Sequence, residues 1–306
     1  MRRLPTTILA AAVLAASAGV TGQPVEPPVE ATSLLGVPLR PPSPVPNQAA
    51  LEADLKAARS VPDPASADAT IWIGRRLGYL WRYREAIETF TGGISRHPDD
   101  PRLYRHRGHR YITLREFARA EADLARAAEL MAARPDEIEP DGQPNAAGRP
   151  RSTLHFNVWY HLGLARYLQG NFTGALDAYR KCLEVSTNDD AVVATSDWLW
   201  MTLRRLGRAD EASSVLARIT PAMEILENGS YHRRLLMYKG LASPESLIDT
   251  TSSDATTVAT QGYGVGNYLL VRGDAGRATE IFRRVVAGSG WNAFGFIAAE
   301  AELARQ

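Results

Sequence analysis

The sequence predicts an all-α protein: a solenoid of about five helix-turn-helix repeats with a capping helix at each end. Residue types recur at one interval of 34 positions, in the pairs Gly74 and Gly108, Tyr83 and Phe117, and Ala86 and Ala120. An interval of this length is typical of helical hairpins, each of which leaves an apolar side for the next hairpin to cover. With 306 residues and 45% apolar content, the chain can form one elongated array.

The beginning of the chain, residues 1–22, is expected to be a cleaved secretory signal. Arg2 and Arg3 precede a short apolar run, and Ala16-Ser17-Ala18 forms a small-residue cleavage site. The run is too short for an ordinary membrane span, although an uncleaved anchor is the alternative. We therefore expect an exported protein, periplasmic or secreted, with no transmembrane span after cleavage. The single cysteine, Cys182, is expected to be a buried structural thiol.

Residues 23–47 are predicted to be a disordered spacer. This segment holds eight prolines, which lack a backbone donor and fix φ, and so favour an extended, solvated chain. A ligand for a proline-recognition domain is the alternative. Residues 48–60 then predict a helix that Asn47 caps and that ends before Pro62.

The repeats of the solenoid domain, residues 48–306, are predicted at 67–100, 101–134, 156–189, 193–226 and 259–292. The third is the clearest, with Trp159, Gly163, Ala175 and Tyr179 in frame. In the fourth, Trp200 replaces the small residue of the first helix, so the local geometry should differ there. Further helices are predicted at 224–240, after Ser243, and at 291–305, where the last helix would cover the exposed apolar face.

A loop insertion, residues 134–152, separates the second and third repeats. It contains several prolines and glycines and an acidic cluster of Asp136, Glu137, Glu139 and Asp141. A loop of this length without secondary structure is often functional or disordered, and we predict a mobile excursion.

The frame of these residues resembles the tetratricopeptide repeat over residues 67–286. The tail adds a narrower resemblance, to bacterial periplasmic proteins similar to new lipoprotein I. It rests on four segments in order: Leu235-Leu236-Met237-Tyr238-Lys239-Gly240, then Ser243-Pro244-Glu245-Ser246-Leu247, then Gly266-Asn267-Tyr268-Leu269-Leu270, then Arg272-Gly273-Asp274. That resemblance implies a scaffold that gathers peptidoglycan hydrolases and, in some cases, a processing protease. It implies an adaptor role in the bacterial cell envelope. The lipoprotein cysteine is absent, so membrane anchoring is not implied.

The concave face of such a stack is the predicted partner-binding groove. It is lined by the face of each first helix that points away from the second helix, and arginine and tyrosine dominate it. Guanidinium groups bind carboxylates through paired hydrogen bonds, so we expect a protein or peptide partner with an acidic segment. The alternative is that these arginines lie on a solvated surface and pair with Glu116, Glu121 or Asp123. The predicted groove residues are Arg75, Arg102, Arg105, His109, Asn157, Tyr160, Tyr167, Arg204, Tyr263 and Asn267.

Other functions find little support in the sequence. The net charge of +1 gives no field that would select nucleic acid as a partner. His106 and His109 have the spacing of two metal ligands, but the surrounding arginines would repel a cation, and no metal is expected. The glycine-rich segment 262–266 lacks the preceding strand of a dinucleotide site, so no cofactor is expected either.

We therefore expect a non-enzymatic interaction scaffold or adaptor in the cell envelope. One alternative is a helical enzyme or small-ligand-binding protein with a pocket near the irregular fourth and fifth repeats, beside Trp198, Trp200 and Tyr231. Another is a subunit of a larger secretion or outer-membrane assembly, in which the proline segment reaches a fixed component.

Overall fold

The structure, a computed structural model, describes residues 26–140, 144–248 and 254–306, so the predicted signal lies outside the described residues. The described chain forms fourteen helices and one two-stranded antiparallel sheet. The elements are β1 (Ala31–Thr32), β2 (Pro38–Leu39), α1 (Gln48–Arg59), α2 (Ala67–Tyr79), α3 (Tyr83–Arg96), α4 (Pro101–Thr113), α5 (Phe117–Met131), α6 (Leu154–Leu168), α7 (Phe172–Glu184), α8 (Asp189–Arg205), α9 (Ala209–Leu216), α10 (Gly229–Tyr238), α11 (Glu245–Ile248), α12 (Ala255–Leu270), α13 (Ala275–Val286) and α14 (Phe294–Ala304). No helix in the described ranges combines the length and apolar character needed to cross a membrane.

Five helical hairpins stack along the chain, which confirms the predicted all-α tetratricopeptide solenoid. They are α2–α3, α4–α5, α6–α7, α8–α9 and α12–α13. Helix α1 packs on α2, and α14 packs on both α12 and α13, so both serve as caps. Helices α10 and α11 lie between the fourth and fifth hairpins, where α10 contacts α8 and α12 and α11 contacts α12.

Each regular hairpin is held by a glycine of its first helix that faces a large residue of its second, sixteen positions later. The pairs are Gly74 with Phe90, Gly108 with Leu124, Gly163 with Tyr179, and Gly266 with Phe282. A Cβ atom at these glycines would lie 2.3, 2.8, 2.6 and 2.4 Å from the partner side chain, so only glycine permits this approach. In the fourth hairpin this place belongs to Trp200, whose ring stacks on Tyr238 at 3.8 Å.

The contact at Gly163 supports a stability prediction. Gly163→Ala should lower the free energy of unfolding by about 1–3 kcal/mol, because the added methyl group meets the Tyr179 ring in a filled core. The same substitution at Gly276, on α13, meets no atom within 4 Å and should raise stability by up to about 1 kcal/mol through helix propensity. Urea unfolding of both variants measures the difference. Equal effects at the two sites would contradict the packing account.

The turn inside each hairpin places one residue in the left-handed region. Gly170, Gly207 and Gly273 occupy that position in the last three hairpins, with φ of 80°, 73° and 91°. In the first two hairpins, however, the position belongs to Trp81 and Arg115, with φ of 63° and 66°. A residue with a side chain in this conformation costs about 1–2 kcal/mol, so these side chains should have a compensating role.

Both of these side chains contact the C-terminal segment, and this contact closes the superhelix on itself. The Trp81 ring lies 5.1 Å from Trp291, and Tyr83 lies 5.5 Å from the same ring. The Arg115 guanidinium binds both carboxylate oxygens of Glu300 on α14, at 2.9 and 3.0 Å, with both side chains almost fully buried. The end of the chain therefore packs against the first two hairpins and covers part of the concave face.

The prediction of a disordered spacer is wrong for residues 26–47. Strands β1 and β2 pair Ala31 with Leu39, and both side chains are buried in the core. The main-chain carbonyl of Arg40 accepts a hydrogen bond from Trp291 Nε1 at 2.7 Å. The prolines permit this hairpin because other residues donate its cross-strand hydrogen bonds, as in the bonds from Glu30 N to Leu39 O at 2.9 Å and from Ser33 N to Val37 O at 2.8 Å.

The prediction of a mobile excursion is wrong for the described part of the insertion next to α6. Ile138 forms an antiparallel bridge with Thr153, flanked by bonds from Glu139 N to Ser152 O at 3.0 Å and from Leu154 N to Glu137 O at 2.9 Å. Its acidic residues Asp136, Glu137 and Glu139 thus lie beside the start of α6, whereas Asp141 lies outside the described residues.

The helix predicted at 224–240 begins later, at Gly229. The preceding turn is held by the buried carboxylate of Asp190, whose Oδ1 accepts from Glu227 N at 2.9 Å and from Asn228 N at 2.8 Å. The backbone donors that a longer helix would use are therefore bound to a side chain of α8.

Candidate functional site

A cationic pocket lies on the concave face between α2 and α4. We call it the arginine pocket; its volume is about 150 Å³. The Arg110 side chain of α4 reaches across to α2, where its Nη1 would lie 2.8 Å from a Cβ atom at Gly78. The pocket is lined by Gly74, Arg75, Tyr79, Phe90, Arg105, His106, His109 and Arg110.

The acidic insertion supplies a carboxylate to this pocket. Glu139 lies 2.7 Å from Arg105 Nη2, with both side chains about nine-tenths buried, and it also accepts a hydrogen bond from Asn157 Nδ2 of α6. The next residue, Pro140, accepts a bond from Arg75 Nη1 at 2.6 Å through its carbonyl oxygen. The pocket therefore holds a short segment of its own chain by a side-chain carboxylate and a backbone carbonyl.

The charges in the pocket are unbalanced among the described residues. Three guanidinium groups, those of Arg75, Arg105 and Arg110, line the pocket, and the carboxylate of Glu139 pairs with the guanidinium of Arg105. The Arg110 side chain makes no hydrogen bond or ion pair within the described ranges, and its guanidinium lies 5.4 Å above the Tyr83 ring. Burial lowers the pKa of both Arg105 and Arg110, and neighbouring arginines lower it further. A second anionic group would relieve this repulsion.

The histidines beside the pocket are neutral. The ring of His106 stacks on that of Phe90, with the ring centroids 5.7 Å apart. The ring centroids of His109 and His161 lie 4.5 Å apart. Burial lowers the pKa of all three imidazoles, that of His161 to about 3, and the positive charges of Arg105 and Arg110 lower them further. Nowhere in the described ranges do three His, Cys, Asp or Glu side chains group as ligands for one ion.

The structure brings only some of the predicted groove residues together. Arg75, Arg105, His109 and Asn157 lie in or beside the arginine pocket. Arg102 instead binds Asp100 and Asp68, each within 2.7 Å, and Arg204 donates to Val271 O at 3.1 Å.

The expectation of an open tyrosine-lined groove is wrong for the rest of that set. Tyr160, Tyr167, Tyr263 and Asn267 are buried. They bond to one another or to core residues: Tyr263 Oη donates to Tyr167 Oη at 2.8 Å, and Tyr160 Oη accepts from Trp198 Nε1 at 2.8 Å. The reason is the curvature of the stack, which brings side chains of the first helices of the third, fourth and fifth hairpins into contact with one another and with α14.

Sequence reasoning did not place Glu139 beside Arg105. It left Arg110 out of the predicted groove face because that residue lies one position beyond it, although Arg110 belongs to the same arginine-rich helix. The available signal was the combination of an arginine-rich first helix, 102–110, with an acidic cluster in the following insertion.

The region assigned to the alternative small-ligand pocket is a packed core. Trp198 is fully buried, and its ring lies 5.2 Å from Tyr167 and 5.8 Å from Tyr263. Beneath it, Asp197 and Arg234 form a fully buried ion pair at 2.8 Å. Tyr231 bonds to Tyr160, so the side chains that were to line the pocket fill the space themselves.

Comparisons with known proteins agree with the repeat assignment. Residues 156–189 match the model of the family described as Tetratricopeptide repeat. No curated protein sequence matches the chain. A solved tetratricopeptide repeat protein from Parabacteroides merdae is 16% identical, with 85% of this chain and 91% of that chain covered and a TM-score of 0.46. YrrB, described as a TPR protein with an unusual peptide-binding site, is 15% identical, with 78% and 92% covered and a TM-score of 0.43. The fold assignment itself rests on the hairpins described above and on the matched repeat.

Proposed function

We propose that this protein is a non-enzymatic interaction scaffold that binds an acidic segment of a partner protein at the arginine pocket. The observation that carries the proposal is the excess of guanidinium groups in the pocket: Arg105 is buried, Arg75 and Arg110 are half-buried, and the Arg110 guanidinium has no ion pair among the described residues. A carboxylate bound there would gain charge-assisted hydrogen bonds in a site largely shielded from water.

The groups in the pocket suit binding better than catalysis. Its imidazoles are held neutral by burial and by adjacent arginines, so they are poor proton acceptors near neutral pH. The single cysteine is equally unsuited to nucleophilic attack, because burial raises the pKa of Cys182 to about 12. Arginine, by contrast, retains its charge and its planar set of donors.

The proposed setting is the bacterial cell envelope. It is supported by the secretory signal predicted at residues 1–22 and by the resemblance of the tail to new-lipoprotein-I-like scaffolds. Under this proposal the protein is exported and acts as an adaptor for envelope proteins, in the periplasm or outside the cell.

Site-specific cross-linking tests this proposal. A photoreactive phenylalanine analogue in place of Tyr79, at the edge of the pocket, should yield a discrete protein adduct in living bacteria that carry the native partner. The adduct should be found in the periplasmic or secreted fraction, and Arg110→Gln in the same chain should reduce its yield several-fold.

The matched control places the same analogue at Glu129, on the exposed outer surface of α5. It should give no such adduct. Identical adducts from both positions, or an adduct from Tyr79 that is unaffected by Arg110→Gln, would contradict the proposal that the partner binds at the arginine pocket.

A further inference from the structure

The segment that enters the arginine pocket is bound as a peptide ligand would be. Residues 137–139 adopt an extended conformation along the start of α6, and side chains of an extended chain alternate between two faces. Ile138 therefore lies on the face opposite Glu139 and is 65% exposed, while Glu137 shares the face of Glu139 but is exposed, and only Glu139 is buried against Arg105. One carboxylate of the acidic cluster is thus presented to the arginines, and its neighbours are not.

We propose that Glu139 is a built-in competitor: it occupies the place of a partner carboxylate, and an acidic partner binds by displacing it. This inference rests on the proposed function, since it concerns the same pocket. The partner class it names is an extended peptide segment with at least two carboxylates, one to replace Glu139 on Arg105 and Asn157 and one to reach Arg110.

The contacts of Glu139 are those of an incomplete ligand. Its Oε1 atom is buried without a hydrogen bond, and Arg105 Nε is also buried without a partner among the described residues. The ring of His106 lies beside Oε1, with its Nε2 4.0 Å away. Buried polar atoms without partners cost free energy, so a ligand that satisfies them has an advantage over the internal segment.

The segment makes polar contacts that a partner peptide could replace, and few apolar contacts that its release would lose. The bridge between Ile138 and Thr153 and its two flanking hydrogen bonds are the secondary-structure contacts that hold it. The Ile138 side chain buries little apolar surface, because it is 65% exposed. Release would therefore sacrifice few apolar contacts while freeing Arg105 for another carboxylate.

A binding measurement with paired variants tests this inference. The probe is a fluorescein-labelled hexaglutamate peptide, and fluorescence anisotropy at low ionic strength gives its Kd. Glu139→Gln should lower the Kd at least tenfold, because it removes the competing charge. Glu137→Gln is the matched control, with the same chemical change two residues away at an exposed carboxylate, and should leave the Kd within twofold of the native value.

The outcomes separate this inference from the function on which it rests. Equal Kd values for Glu139→Gln and Glu137→Gln would overturn the proposal that Glu139 competes with the peptide. A tenfold higher Kd for Arg110→Gln would still support peptide binding at the pocket. Absence of peptide binding by every chain, including Glu139→Gln, would overturn both.

A second variant keeps the test decisive if Glu139→Gln does not fold. Ile138 and Thr153 form a non-hydrogen-bonded pair, whose Cα atoms lie at a separation that a disulfide can span. With Ile138→Cys and Thr153→Cys, oxidation should hold Glu139 over the pocket and weaken peptide binding at least tenfold, and reduction should restore it. Equal binding by the oxidised and reduced forms would overturn the inference.

Discussion

Replacement of Glu300 by leucine should lower the free energy of unfolding by about 3–5 kcal/mol, because it leaves the Arg115 guanidinium buried without its carboxylate. The effect is large since Arg115 also holds Trp291 O at 2.8 Å, so the same residue fixes both α14 and the segment before it. Urea unfolding followed by circular dichroism measures the loss.

Two further variants distinguish this ion pair from a general effect of substitution. Arg115→Gly combined with Glu300→Leu should recover most of the loss, because no bare charge remains and glycine accepts φ of 66° without strain. Glu129→Leu removes a carboxylate from an exposed pair with Arg126 and should change stability by less than about 1 kcal/mol. A Glu300→Leu variant as stable as Glu129→Leu would show that the buried pair does not secure the closure.

Acidification should destabilise the fold through its buried histidines. His106, His109 and His161 have a folded-state pKa below the ordinary value of 6.5, so only the unfolded chain takes up their protons as the pH falls below 6.5. Their stabilisation is complete above pH 6.5 and is lost progressively toward lower pH. At pH 5.5 the three together should cost up to about 4 kcal/mol, at about 1.4 kcal/mol per group and pH unit.

One group works in the opposite direction over the same range. Burial raises the pKa of Asp197 from 3.8 to about 7, although Arg234 opposes the shift, so this carboxyl is protonated in the folded state first and favours folding at lower pH. The difference between variants therefore isolates the imidazoles. Between pH 7.5 and 5.5, the free energy of unfolding of His161→Phe should fall by about 1.4 kcal/mol less than that of the native chain. Urea unfolding at the two pH values measures this difference.

Phe282→Leu is the control for this measurement, because it removes a buried aromatic ring without removing an imidazole. It should lower the stability equally at both pH values. If His161→Phe and the native chain lost the same stability on acidification, the neutral state of His161 would not contribute.

The closure gives the concave face a different shape from that of an open solenoid. Trp81 and Arg115 accept a left-handed backbone at positions where the later hairpins use glycine, and both side chains hold the C-terminal segment. The third to fifth hairpins thereby lose their open groove, and the accessible cationic surface that we describe is concentrated between α2 and α4.

The sequence alone determined the solenoid, because hairpin packing is local. Gly163 and Tyr179 meet within one pair of helices, sixteen positions apart, and such contacts recur with the repeat and can be read from its interval. The capping helix α1 and the buried, inert thiol of Cys182 followed from equally short-range patterns. The arginine-rich character of α4 could also be recognised without coordinates.

Only the tertiary structure decided which of those residues form a site. Whether Tyr263 lines a groove or lies in a core depends on the curvature accumulated over the whole stack, to which every inter-hairpin contact adds a small rotation. The pairing of Glu139 with Arg105 and of Arg115 with Glu300 joins positions that have no fixed spacing in the sequence. Long-range ion pairs of this kind leave no periodic pattern in the sequence, because they depend on which distant segments the curvature of the whole stack brings together.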